Sequence, residues 1–356
     1  VYIAVVKMKI IVNNIQISSL VAWLPENSVE MTSYADIYGH SEVNNIMKAT
    51  GVERVRITSE DMTSSDMCRK AAEYLISQES IDKSTIDGIV FVSQTCDYLL
   101  PSTSICLQER LGLTKDTVCM DVHYGCSGYI YGLFQAALWI HSGACANVLL
   151  LTGDTTSRII NEHDKSLRMV FGDCGTATMV TQGSHSMGFH IQSDGSGANR
   201  LIVPAGGFRT PVSEQSSALA WDEDQNGRTL NDLYMDGLGL FNFAISNVPK
   251  NVNGLLEDMR WDKETVGLFA LHQANKFMVD NVRKRLKVPV DKVPVNVANY
   301  GNTGPSSIPL LLSDLCSREH GYDLSKVLMS GFGVGLSWGS VAANLSTTKF
   351  YVPINS

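Results

Sequence analysis

Three things are scarce in this 356-residue chain, and each scarcity narrows what it can do. Long apolar runs are missing. No stretch approaches the roughly 20 residues that cross a bilayer, so no membrane association is expected. A surplus of positive charge is missing too. Lys and Arg number 28 against 36 Asp and Glu, for a formal charge of −8. Phosphate backbones call for the opposite balance, so nucleic acid is not expected as a partner. Paired cysteine spacing is the third absence. The eight cysteines form neither a CxxC metal site nor a dense disulfide framework. They read as reduced thiols in a cytoplasmic protein, most of them packing as small hydrophobes. No metal site is expected.

What remains is a composition suited to a large core, with 44% hydrophobic and 18% charged residues. The start, Val1 to Val12, is apolar but broken by Lys7 and Lys9, and it leads into polar Asn13 and Asn14. It lacks a small-residue cleavage site and reads as a strand. Met8 is a candidate natural start, which would make residues 1–7 an extension.

Short apolar runs alternate with helical stretches. Gly88 to Val92, Val148 to Leu151 and Val266 to Ala270 suit strands buried on both faces, so an α/β fold is expected. A weak repeat is visible. Strand Ile89–Val92, helix Ser102–Leu111 and strand Val118–Val122 lead to Gly125-Cys126-Ser127-Gly128. Strand Leu268–Leu271, a helix ending near Leu286 and strand Val295–Ala298 lead to Gly301-Asn302-Thr303-Gly304. Gly88 to Cys126 spans 38 positions and Gly267 to Asn302 spans 35. Two like halves, 8–185 and 186–356, would explain this, although α/β units recur widely enough to produce it by coincidence. Residues 208–232 are polar and turn-rich, an excursion or flap rather than core.

Cys126 follows a strand and precedes Ile130, Leu133, Phe134, Ala137 and Leu138, a helical spacing. It therefore sits at a helix start between small residues. There the free amides and the helix dipole would stabilise a thiolate, lowering its pKa, and could also stabilise an oxyanion. An isolated cysteine in such a place is more often merely structural. His272 closes an apolar strand, where α/β folds place their chemistry. It could equally be a core histidine. Asn302 lies on a Gly-flanked turn ahead of the apolar helix Ile308–Leu315, and alone would be only a turn and cap. Ser330 to Gly339 is glycine-rich but lacks the Lys of a P-loop and the GxGxxG spacing.

Taken together and in this order, these motifs are specific. With Leu271-His272-Gln273-Ala274-Asn275 and Gly301-Asn302-Thr303-Gly304, the chain resembles the ketoacyl-acyl-carrier-protein synthase III branch of the condensing enzymes. The resemblance covers 88–111, 118–182, 266–312 and 327–341. It implies a thiolase-like duplicated αβαβα sandwich forming a homodimer, with the Leu100-Pro101 loop reaching the partner's acyl pocket. It implies a β-ketoacyl synthase of fatty acid biosynthesis type. Cys126 would be acylated by an acyl-CoA or acyl-carrier thioester, and His272 and Asn302 would stabilise the enolate formed as a malonyl-carrier thioester loses CO₂. The amides of Cys126 and Val334 would form the oxyanion hole. No metal or organic cofactor is implied.

Some positions depart from the family pattern. Val334 stands where the family usually has Gly. Asn45 and Ala49 replace a Trp and an Arg of the CoA site around Thr50-Gly51, while Arg158 matches a CoA-contacting Arg. Phe277 replaces a carrier-docking Arg. Lys284 and Arg285 match basic docking positions, in a cluster suited to an acidic carrier protein, although a solvated helix end would look the same. Asp173 reads as structural, Cys174 is not a nucleophile candidate, and His123 reads as structural. The resemblance leaves two alternatives. One is an acyltransferase that passes the acyl group from Cys126 to an oxygen or nitrogen acceptor without condensation. The other is a dimer partner with a degenerate site.

Overall fold

The computed structural model describes residues 10–316 and 321–355. Residues 1–7 and the candidate start Met8 lie outside the described residues. Ten strands make the main sheet: β1 (Ile10–Leu24), β2 (Gly88–Val92), β3 (Val118–Val122), β4 (Asn147–Asp154), β5 (Cys174–Ser193), β6 (Leu268–Leu271), β7 (Val327–Gly333), β8 (Ser337–Ala343), β9 (Lys349–Phe350) and β10 (Ile354–Asn355). The longer helices are α1 (His40–Thr50), α2 (Ser64–Gln78), α3 (Thr103–Arg110), α4 (Gly128–His141), α5 (Gly237–Met259), α6 (Lys276–Leu286) and α7 (Ser307–Cys316).

The strand order is β6-β7-β8-β5-β4-β2-β3, with β1 antiparallel to β5. Alternation along each strand sorts its side chains between two layers. Val90 and Val92 join Leu133 of α4 and Leu311 of α7 in a central core. Ile89 and Phe91 turn the other way, onto Leu75 of α2 and Leu107 of α3. In the second half Leu268 and Ala270 face the central core, whereas Phe269 and Leu271 meet Val252 of α5 and Val282 of α6. The result is five layers: α2 and α3, strands, the buried pair α4 and α7, strands, then α5 and α6. This is the duplicated αβαβα sandwich.

The duplication is visible in the pairing. β2 lies parallel to β4, which lies antiparallel to β5. β6 lies parallel to β7, which lies antiparallel to β8. One expectation needs correction. Val295–Ala298 is not a strand, and Val297–Tyr300 is a single helical turn. Pro294 has no N–H for a ladder, and the Gln273 side chain takes over the pairing. Its Nε2 donates to Leu271 O at 2.8 Å and to Pro294 O at 3.4 Å, while its Oε1 accepts from Asn296 N at 3.1 Å. The division at 185/186 falls inside β5, which carries the sheet across it without a linker. Asn14 adopts φ +60 where the register shifts, a bulge that keeps the strand going to Leu24.

Residues 208–232 do leave the core, carrying a small ribbon of Ala220–Trp221 against Gly227–Arg228. They are fastened rather than loose. Arg228 pairs with buried Asp164 at 3.0 Å and with Asp222 at 2.8 Å. At the far edge of the sheet, β3 exposes Val118 and Met120, and the neighbouring loop exposes Tyr98, Leu99 and Leu100.

Candidate active site

β3 ends at Val122 and α4 begins at Gly128, so residues 123–127 make the sharp turn that carries Cys126. Gly333 of β7 packs directly on it. A Cβ at Gly333 would lie 2.8 Å from Cys126 Cβ and 3.1 Å from its sulfur, too close for any side chain. The backbone amides of Cys126 and Val334 both act on the sulfur. Val334 lies in the tight turn between β7 and β8, so the glycine-rich stretch is a hairpin rather than a loop. A valine in that position keeps its amide on the cysteine.

The lowered thiol pKa is a further correction. Burial pushes the Cys126 thiol up to about 12, and the Asp154 carboxylate adds to the rise. The two amides pull the other way without winning. Cys126 precedes the first helical residue and is only 8% exposed, so desolvation outweighs the helix terminus. The resting group is a thiol.

His272 follows β6 and is 1% exposed. Its amide donates to Ser330 O at 2.8 Å, its ring lies edge-on to Phe332, and its Nδ1 is 2.6 Å from Ser307 Oγ at the start of α7. Burial lowers its pKa to about 3, so the imidazole is neutral at neutral pH. A Ser307 hydroxyl donating to Nδ1 places the ring proton on Nε2. Asn302 is pinned at its backbone, its N–H donating to Val170 O at 2.8 Å. Its Oδ1 accepts from Gly304 N at 3.0 Å, which leaves the Nδ2 amide as the free donor.

Cys126, His272 and Asn302 line one cavity of about 160 Å³, walled by Phe171, Phe243, Phe332 and Met278. Thr50 and Asn275 also line it, so its approach runs between the end of α1 and the start of α6. A second cavity, about 400 Å³, also reaches Cys126 and is lined by Gln94, Asp154, Thr156, Leu201 and Leu233 among others.

The remaining expected residues lie further out. Arg158 uses Nη2 to donate to the carbonyls of Ser59, Glu60 and Met62 at 2.6–2.8 Å, so much of its guanidinium is committed to that loop. Lys284 and Arg285 are exposed in the last turn of α6. Leu100 is 80% exposed beside the β3 edge. Asp173 is buried and accepts from Thr58 and Ser157, a brace rather than a reactant. Cys174 is fully buried, and burial raises its pKa far above the usual value. His123 stands exposed at the mouth of the larger cavity rather than packed against the strand. Reading the motifs missed Ser307, which orients His272, and Asp154, which lies three residues beyond the apolar run Val148–Leu151 at the end of the same strand. A charge at the C-terminal end of a buried strand was the available signal for Asp154.

Comparison with known proteins agrees with this geometry. Residues 120–195 match the family described as 3-oxoacyl-[acyl-carrier-protein (ACP)] synthase III, and 256–345 match its C-terminal counterpart. The chain is 32% identical over 342 residues to a putative 3-oxoacyl-[acyl-carrier-protein] synthase 3 of Campylobacter jejuni, covering 95% of this chain and 96% of that protein. The chain belongs to the 3-oxoacyl-[acyl-carrier-protein] synthase III family. It is also 32% identical to a beta-ketoacyl-[acyl-carrier-protein] synthase III of Lactococcus lactis, over 93% of this chain and 99% of that one. A solved 3-oxoacyl-(acyl-carrier protein) synthase from Burkholderia xenovorans superposes with a TM-score of 0.91 at 35% identity, covering 98% and 99% of the two chains. In this synthase III chain the first matched segment holds Cys126 and the second holds His272, Asn302 and Val334. Among the described residues no helix is long and apolar enough to cross a membrane.

Proposed function

We propose that this chain is a β-ketoacyl-acyl-carrier-protein synthase III-type condensing enzyme. The shared cavity of Cys126, His272 and Asn302 carries the reading, because it sets two neutral donors beside a thiol. An acyl thioester enters first. Cys126 sulfur bonds to the acyl carbon, the donor's C–S bond breaks, and the thiol proton leaves on the released donor thiol. The amides of Cys126 and Val334 hold the developing oxyanion. A malonyl thioester follows. Its carboxylate leaves as CO₂, and the electron pair passes to C2 as an enolate whose oxygen accepts from His272 Nε2 and Asn302 Nδ2. C2 attacks the acyl carbon, the bond to Cys126 breaks, and the thiolate takes up a proton. The thioesters supply all the chemistry, so no metal or organic cofactor is needed.

A donor imidazole must stay neutral, and the depressed pKa of His272 supports that role. It gains a proton only near pH 3, so from pH 5 to 8 its state does not change. Release of CO₂ from malonyl-carrier protein should show no inflection near pH 6.5. An inflection there that vanishes in His272→Asn would contradict the donor role.

The partner chemistry is part of the same proposal. Lys284 and Arg285, exposed in the last turn of α6, suit an acidic acyl carrier protein. Arg158 lies where acyl-CoA could meet it through the groups its loop leaves free. We expect a homodimer across the β3 edge, which leaves strand positions and apolar side chains unpaired, with Leu100 reaching toward the second subunit. Reversing both basic residues, Lys284→Glu with Arg285→Glu, should raise KM for malonyl-carrier protein by about tenfold while leaving kcat near wild type. Unchanged carrier kinetics would remove the docking assignment.

A further inference from the structure

The inference rests on the proposed function, since it names the acyl group that Cys126 accepts. The larger cavity reaches Cys126 but is lined by neither His272 nor Asn302. With the extender held by those two donors, this cavity is the space left for the acyl group. Its lining is mixed. Leu201, Ile202 and Leu233 are aliphatic, while Gln94, Asp154 and Thr156 are polar.

Asp154 is 2% exposed. One carboxylate oxygen is saturated: Oδ1 accepts from Ser93 Oγ at 2.9 Å, Gln94 N at 2.7 Å, Thr95 N at 3.2 Å and Thr95 Oγ1 at 3.1 Å. Oδ2 accepts nothing from the described residues. Gly304, also on the cavity wall, keeps it open, because a Cβ there would stand 3.1 Å from Oδ2. The Gln94 side-chain amide and the Thr156 hydroxyl likewise have no hydrogen-bond partner among the described residues.

A plain hydrocarbon chain in this cavity would strand a buried carboxylate oxygen, an amide and a hydroxyl against methylenes. Buried polar groups left unpaired are costly. A substrate hydroxyl relieves this, donating to Asp154 Oδ2 and accepting from Gln94 or Thr156. An ammonium fits less well, because four donors already share the Asp154 charge and the aliphatic lining would desolvate the cation. We propose that the acyl group transferred to Cys126 is a hydroxyacyl group, its hydroxyl bonded to Asp154. Burial raises the Asp154 pKa to about 6, which still leaves a carboxylate to accept at neutral pH.

The test compares butyryl, 3-hydroxybutyryl, 4-hydroxybutyryl and 4-aminobutyryl thioesters, each as the CoA and the carrier-protein form. Acylation of the full-length protein is followed by intact mass. One hydroxybutyryl donor should acylate Cys126 at least about tenfold faster than butyryl at subsaturating concentration. The ratio should fall toward one in Asp154→Asn. That residue also braces the 93–95 turn, so Gln94→Leu provides a second variant outside the brace's side-chain contacts, and the ratio should fall there too. Equal or faster acylation by butyryl in the wild type overturns the inference and leaves the synthase reading standing. A preference for 4-aminobutyryl overturns it as well, as does a wild-type ratio retained in both variants. No adduct from any donor overturns the proposed function together with this inference.

Discussion

Cys126→Ala should emerge from incubation with any acyl thioester at its unmodified mass, and its condensation rate should drop by at least about 10³-fold. The reason is positional. Cys126 is the thiol that reaches both cavities, with two backbone amides on its sulfur. Cys68 and Cys174 are fully buried, and burial raises both thiols well above the ordinary range. Neither lines either cavity. Cys96 is partly exposed near the β3 edge, but burial and three nearby aspartates raise it to about 11. The substitution deletes one sulfur and a loss of fold is not expected, so an unchanged melting temperature with no adduct is the anticipated pair of observations. An adduct that survives in Cys126→Ala would place the nucleophile elsewhere.

The second large effect divides the two half-reactions. His272→Ala should still take an acyl group on Cys126 and should lose malonyl decarboxylation by about 10²- to 10³-fold, the magnitude associated with removing one preorganised donor. The split follows from the arrangement, since the acyl oxyanion is met by the amides of Cys126 and Val334 rather than by the imidazole. Asn302→Ala should behave the same way, because Gly304 N fixes the amide with Nδ2 outward. Parallel loss of acylation and decarboxylation in His272→Ala would mean that the imidazole acts on the thiol instead. Burst acylation by mass and CO₂ release from malonyl-carrier protein read the two steps separately.

Much of this was legible in the residues. Cys126 announced itself by a strand, a run of small residues and a helical apolar pattern. His272 and Asn302 followed apolar segments with distinctive neighbours. The buried strands were legible because β2, β4 and β6 are apolar on both faces. What failed was decided by tertiary contacts that local pattern does not carry. Val295–Ala298 has strand-forming residues, yet Pro294 and the Gln273 side chain settle the backbone. The thiol pKa depended on how deeply Gly333 and the cavity walls enclose Cys126, and a helix start alone does not reveal enclosure. Asp154 went unread because its role depends on which of its two oxygens the 93–95 turn leaves free.

The most direct measurement follows the wild-type protein through one turnover by intact mass, first with an acyl thioester and then with malonyl-carrier protein. The condensing-enzyme reading predicts an acyl adduct absent from Cys126→Ala, its discharge on adding malonyl-carrier protein, one CO₂ per adduct, and a β-ketoacyl-carrier product two carbons longer. An adduct that persists beside malonyl-carrier protein yet discharges to an oxygen or nitrogen acceptor would contradict it.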